Sequence, residues 1–247
     1  AGLITTPQGE VVLAAGQRVE LIDTGTPGVK VAVDAGGEAL NLGRLMAESG
    51  RVGMVGAVVR QQGTASAASL VREGGRIFLK ATQGVELAAG STTDASGTQG
   101  GTIEVDGGGT TIVAGIVSAT GATDTGGRIE LLGDKVGLFA GADVDASGAG
   151  AGGTVLVGGD YQGGNADVRN AQISYLDQAA KIRADALQSG DGGKVIVWAD
   201  DTTRAYGTIS ARGGATGGDG GFVEVSGRKS LDFDASVNTL APQGNAG

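Results

Sequence analysis

Asp200 and Asp201 form the one adjacent acidic pair of the sequence, with Trp198 just before it and Tyr206 just after. Paired carboxylates near an aromatic ring suit glycoside chemistry, in which one acid protonates the leaving oxygen and the other activates water or attacks the sugar. The companions of such chemistry are missing. The chain has no His to move a proton, and no Asn-Thr-Asp segment accompanies the pair. An Asp-Asp-Thr-Thr stretch between two apolar runs is more simply a turn. Cys is absent as well, which removes thiol nucleophiles, disulfides and the usual zinc sites.

Two other kinds of site find no support in the sequence. Calcium-binding β-rolls need Gly-Gly-x-Gly-x-Asp repeats, and Gly217-Gly218-Asp219-Gly220-Gly221 places its acid too early. Single acids such as Asp94, Asp145 and Asp191 read as turn formers. No helical pattern follows any Gly-rich stretch to seat a nucleotide phosphate. The expectation is therefore a non-enzymatic chain with no catalytic residues, no cofactor and no metal.

Aromatic residues remain the best pointers to a ligand, because the chain has only four Phe, three Tyr and one Trp. Trp198 and Tyr206 flank the Asp200-Asp201 turn, while Tyr161 and Tyr175 fall in an interruption upstream. If Val195 and Val197 point inward, Ile196 and Trp198 point outward. An exposed Trp beside Tyr and Asp can stack a sugar. The preferred alternative is that residues 159 to 178 fold back over this apolar patch, which would otherwise promote association. The stretch 167 to 176 reads equally as a short helix or an extended flap.

The elements that must position these residues repeat along the chain. A Gly-Gly pair followed by an alternating apolar run begins at Gly74, Gly100, Gly126 and Gly152, each 26 residues after the last. The pattern resumes at Gly192 and Gly220, so one coil carries an insertion of about 14 residues. Gly50-Arg51-Val52-Gly53-Met54-Val55 is an earlier, looser copy. Two further strand columns lie in each period, one typified by Val85-Glu86-Leu87. The other ends on Ala, as in Thr93-Asp94-Ala95, Val117-Ser118-Ala119 and Val144-Asp145-Ala146.

Three short period-two strands per 26 residues predict an all-β fold, a right-handed parallel β-helix with three sides. About nine coils at a spacing of ~4.8 Å give a stack on the order of 45 Å long. Ile77/Leu79, Ile103/Val105, Ile129/Leu131, Val155/Val157, Val195/Val197 and Val223/Val225 are expected to form inward ladders. Gly at the corners is expected to supply backbone angles closed to other residues. Residues 1–73 read as irregular N-terminal coils and 74–247 as regular ones, in one continuous solenoid. The spacing from the Ala column to the next Gly-Gly pair varies, so length variation collects at one corner, where solenoids often place recognition.

Fifty Gly and a hydrophobic content of 40% with three Pro fit thin, stacked layers rather than disorder. The formal charge of -9 argues against nucleic acid and anionic lipid as partners. No apolar run reaches the roughly 18 residues of a membrane span, and no signal-peptide pattern opens the chain. Ala1 reads as lying within a strand, and Gln243 to Gly247 fall where a new strand is due. Open strand edges at both ends would favour end-to-end self-association.

The segment from Asp191-Gly192-Gly193-Lys194-Val195-Ile196-Val197-Trp198-Ala199-Asp200 through Tyr206-Gly207-Thr208-Ile209-Ser210-Ala211-Arg212-Gly213-Gly214 to Gly220-Gly221-Phe222-Val223-Glu224-Val225-Ser226-Gly227 resembles the filamentous-haemagglutinin-like exoproteins of two-partner secretion. Val11-Val12-Leu13-Ala14-Ala15-Gly16, Gly37-Glu38-Ala39-Leu40-Asn41-Leu42-Gly43 and Gly75-Arg76-Ile77-Phe78-Leu79-Lys80-Ala81 are similar to the stretch at or after the end of that family's secretion domain. The resemblance implies a β-helix exported from a Gram-negative cell through an outer-membrane transporter, secreted or held at the cell surface. It implies the roles of adhesins, biofilm matrix proteins, haem-acquisition proteins or contact-dependent toxins, with a matrix polysaccharide, host glycan or surface receptor as partner. The family's Asn-Pro-Asn signatures are absent, so this piece is not expected to direct its own export.

Overall fold

The computed structural model describes residues 2–23 and 29–247, and the side chains among them that lie outside 17–35. Ala1 lies outside the described residues. Strands make up all the described regular structure except a single 3-10 turn at Tyr161–Gly163. The chain is a parallel β-solenoid of roughly 27 residues per turn.

Each turn contributes to three faces, and alternation decides what each face buries. On the first face, Ile77, Ile103, Ile129, Val155 and Val195 stack in register, as do Leu79, Val105, Leu131, Val157 and Val197. All ten are essentially inaccessible to solvent. Val223 and Val225 continue both rows and pack against the core while only partly buried. On the third face nine strands, from Leu3–Thr5 to Ser236–Asn238, form one sheet. Its inward row runs through Ala65, Thr93, Val117, Val144, Ile182 and Ile209. Ala67, Ala95, Ala119, Ala146, Ala184 and Ala211 follow it and are fully buried.

The backbone angles expected of corner glycine occur at Gly90, Gly108, Gly133, Gly141 and Gly190, whereas the Gly-Gly pairs that open each rung serve closeness instead. Neither residue of the pairs Gly74-Gly75, Gly100-Gly101, Gly126-Gly127, Gly152-Gly153, Gly192-Gly193 and Gly220-Gly221 lies in the left-handed region. A Cβ on Gly101 would sit 2.1 Å from the carbonyl oxygen of Gly75, and one on Gly127 would sit 2.1 Å from that of Gly101. The same clash recurs at Gly153, Gly193 and Gly221. The first glycine of a pair meets the other neighbour, since a Cβ on Gly126 would lie 1.8 Å from the Ala146 carbonyl oxygen. Only hydrogen fits between rungs that approach this closely.

The corner of variable length is closed by a constant bond. Gly101, Gly127, Gly153, Gly193 and Gly221 donate their amides to the carbonyls of Ala95, Ala119, Ala146, Ala184 and Ala211 at 2.7–2.8 Å. The loops in between also stack, through single parallel bridges joining Gly97 to Gly121, Gly121 to Gly148 and Gly148 to Ala186.

Two other departures from expectation concern the faces themselves. The first and second faces are not always separated by a Gly-rich corner, because Arg51–Gln61 and Arg76–Leu87 each run through both as one strand. In addition, Gly16–Asp23 and Val29–Ala35 pair antiparallel, with Val19 opposite Val33 and Leu21 opposite Val31. This hairpin is a second excursion from the solenoid, and the alternation of Val19 and Leu21 with Val29, Val31 and Val33 carried its signal.

Buried hydroxyls satisfy the bend between the first two faces. Thr111 Oγ1, Ser174 Oγ and Thr203 Oγ1 donate to the carbonyls of Leu132, Trp198 and Ser226, each at 2.6 Å. Each acceptor lies on the following rung, so the polar atoms stitch rungs together where the ladder bends.

Candidate functional site

The strand Lys194–Ala199 turns Val195, Val197 and Ala199 inward and Ile196 and Trp198 outward, as alternation requires. The outward pair is nevertheless buried. Ile196 is inaccessible and Trp198 only 7% exposed, because Val168 closes over them together with Leu132 and Leu156 in a second apolar cluster. The excursion leaves the solenoid after Val157 and returns before Ile173–Leu176. It is neither a helix nor an extended flap but a run of tight turns around the 3-10 turn.

Glycine lets the backbone lie against the indole. A Cβ on Gly159 would come within 2.7 Å of Trp198 Cδ1, and one on Gly163 within 2.5 Å of Nε1. Gly163 also has a φ of 60°, which side-chain-bearing residues rarely adopt. Trp198 Nε1 donates to Asp200 Oδ1 at 3.2 Å, and Asn170 Nδ2 reaches the same oxygen at 3.3 Å. The Arg228 guanidinium pairs with Asp200 at 3.2 Å and stands 5.7 Å from the centroid of the indole.

Asp200 and Asp201 form the bend between the first and second faces. Asp201 is the more exposed, with Lys229 Nζ at 3.6 Å. Both carboxylates are ion-paired at a turn, not placed across a groove, and Trp198 is a covered core residue instead of a platform.

The excursion is fixed by charge as well as packing. Asp160 accepts hydrogen bonds from the Tyr161 amide at 2.7 Å, from Asn165 Nδ2 at 2.9 Å and from Lys194 Nζ. Burial opposes ionisation of Asp160, yet the bonds from Asn165, Lys194 and the Tyr161 amide, with the Lys194 charge, hold its pKa down at about 2. Arg169 adds an ion pair to Asp134 at 2.7 Å. Tyr161 stays half exposed and sets its ring edge-on to Phe222 at 5.5 Å.

Tyr175 does not belong to this excursion. It sits in Ile173–Leu176, a second-face strand paired with Lys135–Leu138 on one side and Thr202–Ala205 on the other. Its ring lies 5.4 Å from Phe139 and 6.0 Å from Tyr206, centroid to centroid. The six residues singled out in the sequence therefore separate into two groups: Trp198, Asp200, Asp201 and Tyr161 at the covered excursion, and Tyr175 with Tyr206 on the second face. Phe139 was missed. Aligning Leu138 with Leu176 and Ala205 would have shown that Phe139 and Tyr206 occupy equivalent positions in their coils.

The second-face group is open to solvent. Phe139 is 41% exposed, and the two tyrosines are half-buried. The Tyr175 hydroxyl donates to Asp177 Oδ2 at 3.2 Å and the Tyr206 hydroxyl to Asp232 Oδ2 at 2.6 Å. Burial and then the Asp177 bond raise the pKa of Tyr175, while the bond to Asp232 is the largest cause raising that of Tyr206. Both phenols thus remain protonated donors. Tyr175, Asp177, Gln178, Tyr206 and Asp234 line a cleft of ≈ 320 Å³.

Among solved structures the chain is similar to the HMW1 secretion domain from Haemophilus influenzae, with 29% identity and a TM-score of 0.66. The likeness covers 97% of this chain and 58% of that one, so this chain spans little more than half the length of its neighbour. No family model matches the chain, and no curated protein does.

The likeness takes in both excursion-bearing and regular coils, since nearly the whole chain is covered. Among the described residues no group of three or more carboxylates is arranged to hold a metal ion, and no helix is long and apolar enough to cross a membrane.

Proposed function

We propose that this chain is a rod-forming, non-catalytic segment of a large protein that a Gram-negative cell exports through an outer-membrane transporter, to act in attachment at the cell surface or in the surrounding matrix. The observation that carries this reading is the 29% identity to a secretion domain over 97% of the chain. The structure supplies a physical basis for it. A parallel solenoid needs contacts only with its neighbouring rungs, so each rung can form on the one before as the chain emerges. Such a fold suits passage as an extended chain followed by refolding outside. The chain lacks Cys, so no disulfide has to form on the way.

The test is export of the full protein from a Gram-negative host with and without its candidate outer-membrane transporter. The expected result is protein accessible to external protease only when the transporter is present. Equal surface display without any transporter would overturn the reading. For attachment, cells displaying the protein should adhere to a polysaccharide-coated surface better than cells displaying a version lacking residues 74–247. Equal adherence would remove the attachment role while leaving export intact.

A further inference from the structure

Three of the eight aromatic residues of the chain converge on one outer surface. Register explains how. Leu138, Leu176, Ala205 and Phe233 form one row of the second face. The residues before them are Gly137, Tyr175, Arg204 and Asp232, and those after them are Phe139, Asp177, Tyr206 and Asp234. Rings and carboxylates therefore zigzag along the solenoid axis from rung to rung.

Phe139 has a packing explanation. Its ring lies over Gly137, where a Cβ would come within 2.6 Å of Cε2. The tyrosines fill no such gap. Their hydroxyls are committed to Asp177 and Asp232, which fixes each ring while leaving the carboxylates further acceptor capacity. Among the described residues, Asp177, Asp232 and Asp234 have no ion-pair partner, and the Asp234 side chain has no hydrogen bond.

We propose that the Tyr175–Tyr206 cleft is a binding site for a non-acidic polysaccharide. The rings offer apolar faces for the C–H faces of pyranoses, and Asp177, Asp234 and Gln178 offer acceptors to their hydroxyl or ammonium groups. The carboxylates of Asp177, Asp232 and Asp234 outnumber the one cation of the row, Arg204, and so disfavour uronates, sulfates and other acidic sugars. Three rings on successive rungs, with centroids 5.4 and 6.0 Å apart and planes turned by 42° and 68°, extend the surface along the axis beyond a single sugar. The site departs from Trp198, which is buried, and needs no cell or transporter to be tested.

The experiment is calorimetric titration of the purified chain with cellotetraose, the tetrasaccharide of glucosamine and tetragalacturonate. Cellotetraose or the glucosamine tetramer should bind, and tetragalacturonate at least tenfold more weakly. Tyr206→Ala and Tyr175→Ala should each weaken binding at least tenfold. If either variant melts early, Asp234→Ala and Gln178→Ala at the cleft rim provide the same test without touching the ring stack, and should each weaken binding several-fold. No heat with either non-acidic probe up to about 10 mM, equal or tighter binding of tetragalacturonate, or binding undiminished by all the variants would overturn the proposal. Failure here leaves the export reading standing, because that reading is measured in cells by surface display.

Discussion

Lys194 and Asp160, 34 residues apart, form an ion pair that fastens the excursion to the strand beneath it. Asp160 is 8% exposed and also holds Asn165 and the amide of Tyr161, so one carboxylate organises the start of the excursion. Asp160→Asn keeps the size but loses the charge-assisted bonds. It should cost about 1 kcal/mol and release the excursion before the solenoid unfolds, seen as faster proteolysis near Gly163-Gly164.

The same pair sets an acid limit. The folded pKa of Asp160 is about 2 against an ordinary 3.8. A carboxylate depressed on folding adds stability that is fully present above the ordinary value and is lost as pH falls through the folded one. Protease susceptibility of the excursion should therefore rise between about pH 4 and pH 2. In Asp160→Asn the rise over this window should be absent.

Trp198→Ala removes the largest side chain of the outer cluster formed with Leu132, Leu156, Val168 and Ile196. The expected loss is about 3–5 kcal/mol, the range for deleting a buried aromatic. Thermal melting should report it, and saccharide binding at the Tyr175–Tyr206 cleft should be unchanged below the melting range.

Gly127→Ala places a methyl group 2.1 Å from the Gly101 carbonyl oxygen, against backbone that cannot step aside. It should destabilise by about 3 kcal/mol or more. Gly150→Ala is the contrast, since its methyl would meet nothing nearer than 3.4 Å. Chemical denaturation of the two variants should show a large loss for the first and little for the second.

Ser174→Ala leaves the carbonyl of Trp198 without the 2.6 Å bond it receives inside the bend. An orphaned buried acceptor costs about 1–3 kcal/mol. Hydrogen exchange should quicken first at the amides of 172 to 176 and 198 to 202, where two rungs share that bond.

Much of the fold was legible because a solenoid repeats its physics. The inward rows from Ile77 to Val195 and the buried alanines from Ala67 to Ala211 followed from period-two alternation and a 26-residue spacing alone. The chain also marked an interruption near residues 159–178, which the structure narrows to the stretch between Val157 and Ile173. It did not reveal what lies there, because turns such as those around Gln162 are set by contacts with Trp198, Lys194 and Glu224 rather than by local pattern.

For the candidate site, linear proximity suggested a grouping of the scarce side chains that the fold does not keep. Trp198, Asp200 and Tyr206 are neighbours in sequence, yet a bend sends Trp198 under the excursion and Tyr206 onto the second face. Tyr175 and Tyr206 lie 31 positions apart and become neighbours because parallel pairing stacks one coil on the next. Sequence by itself determined which residues face inward, since alternation is a property of a single strand. Tertiary structure decided which outward residues meet and which are covered, since register between rungs and the path of an excursion depend on contacts distant in the chain. The glycine pairs show the same division: their spacing announced the rung, and only the stacked backbones, closer than a methyl group allows, explained why the residue had to be glycine.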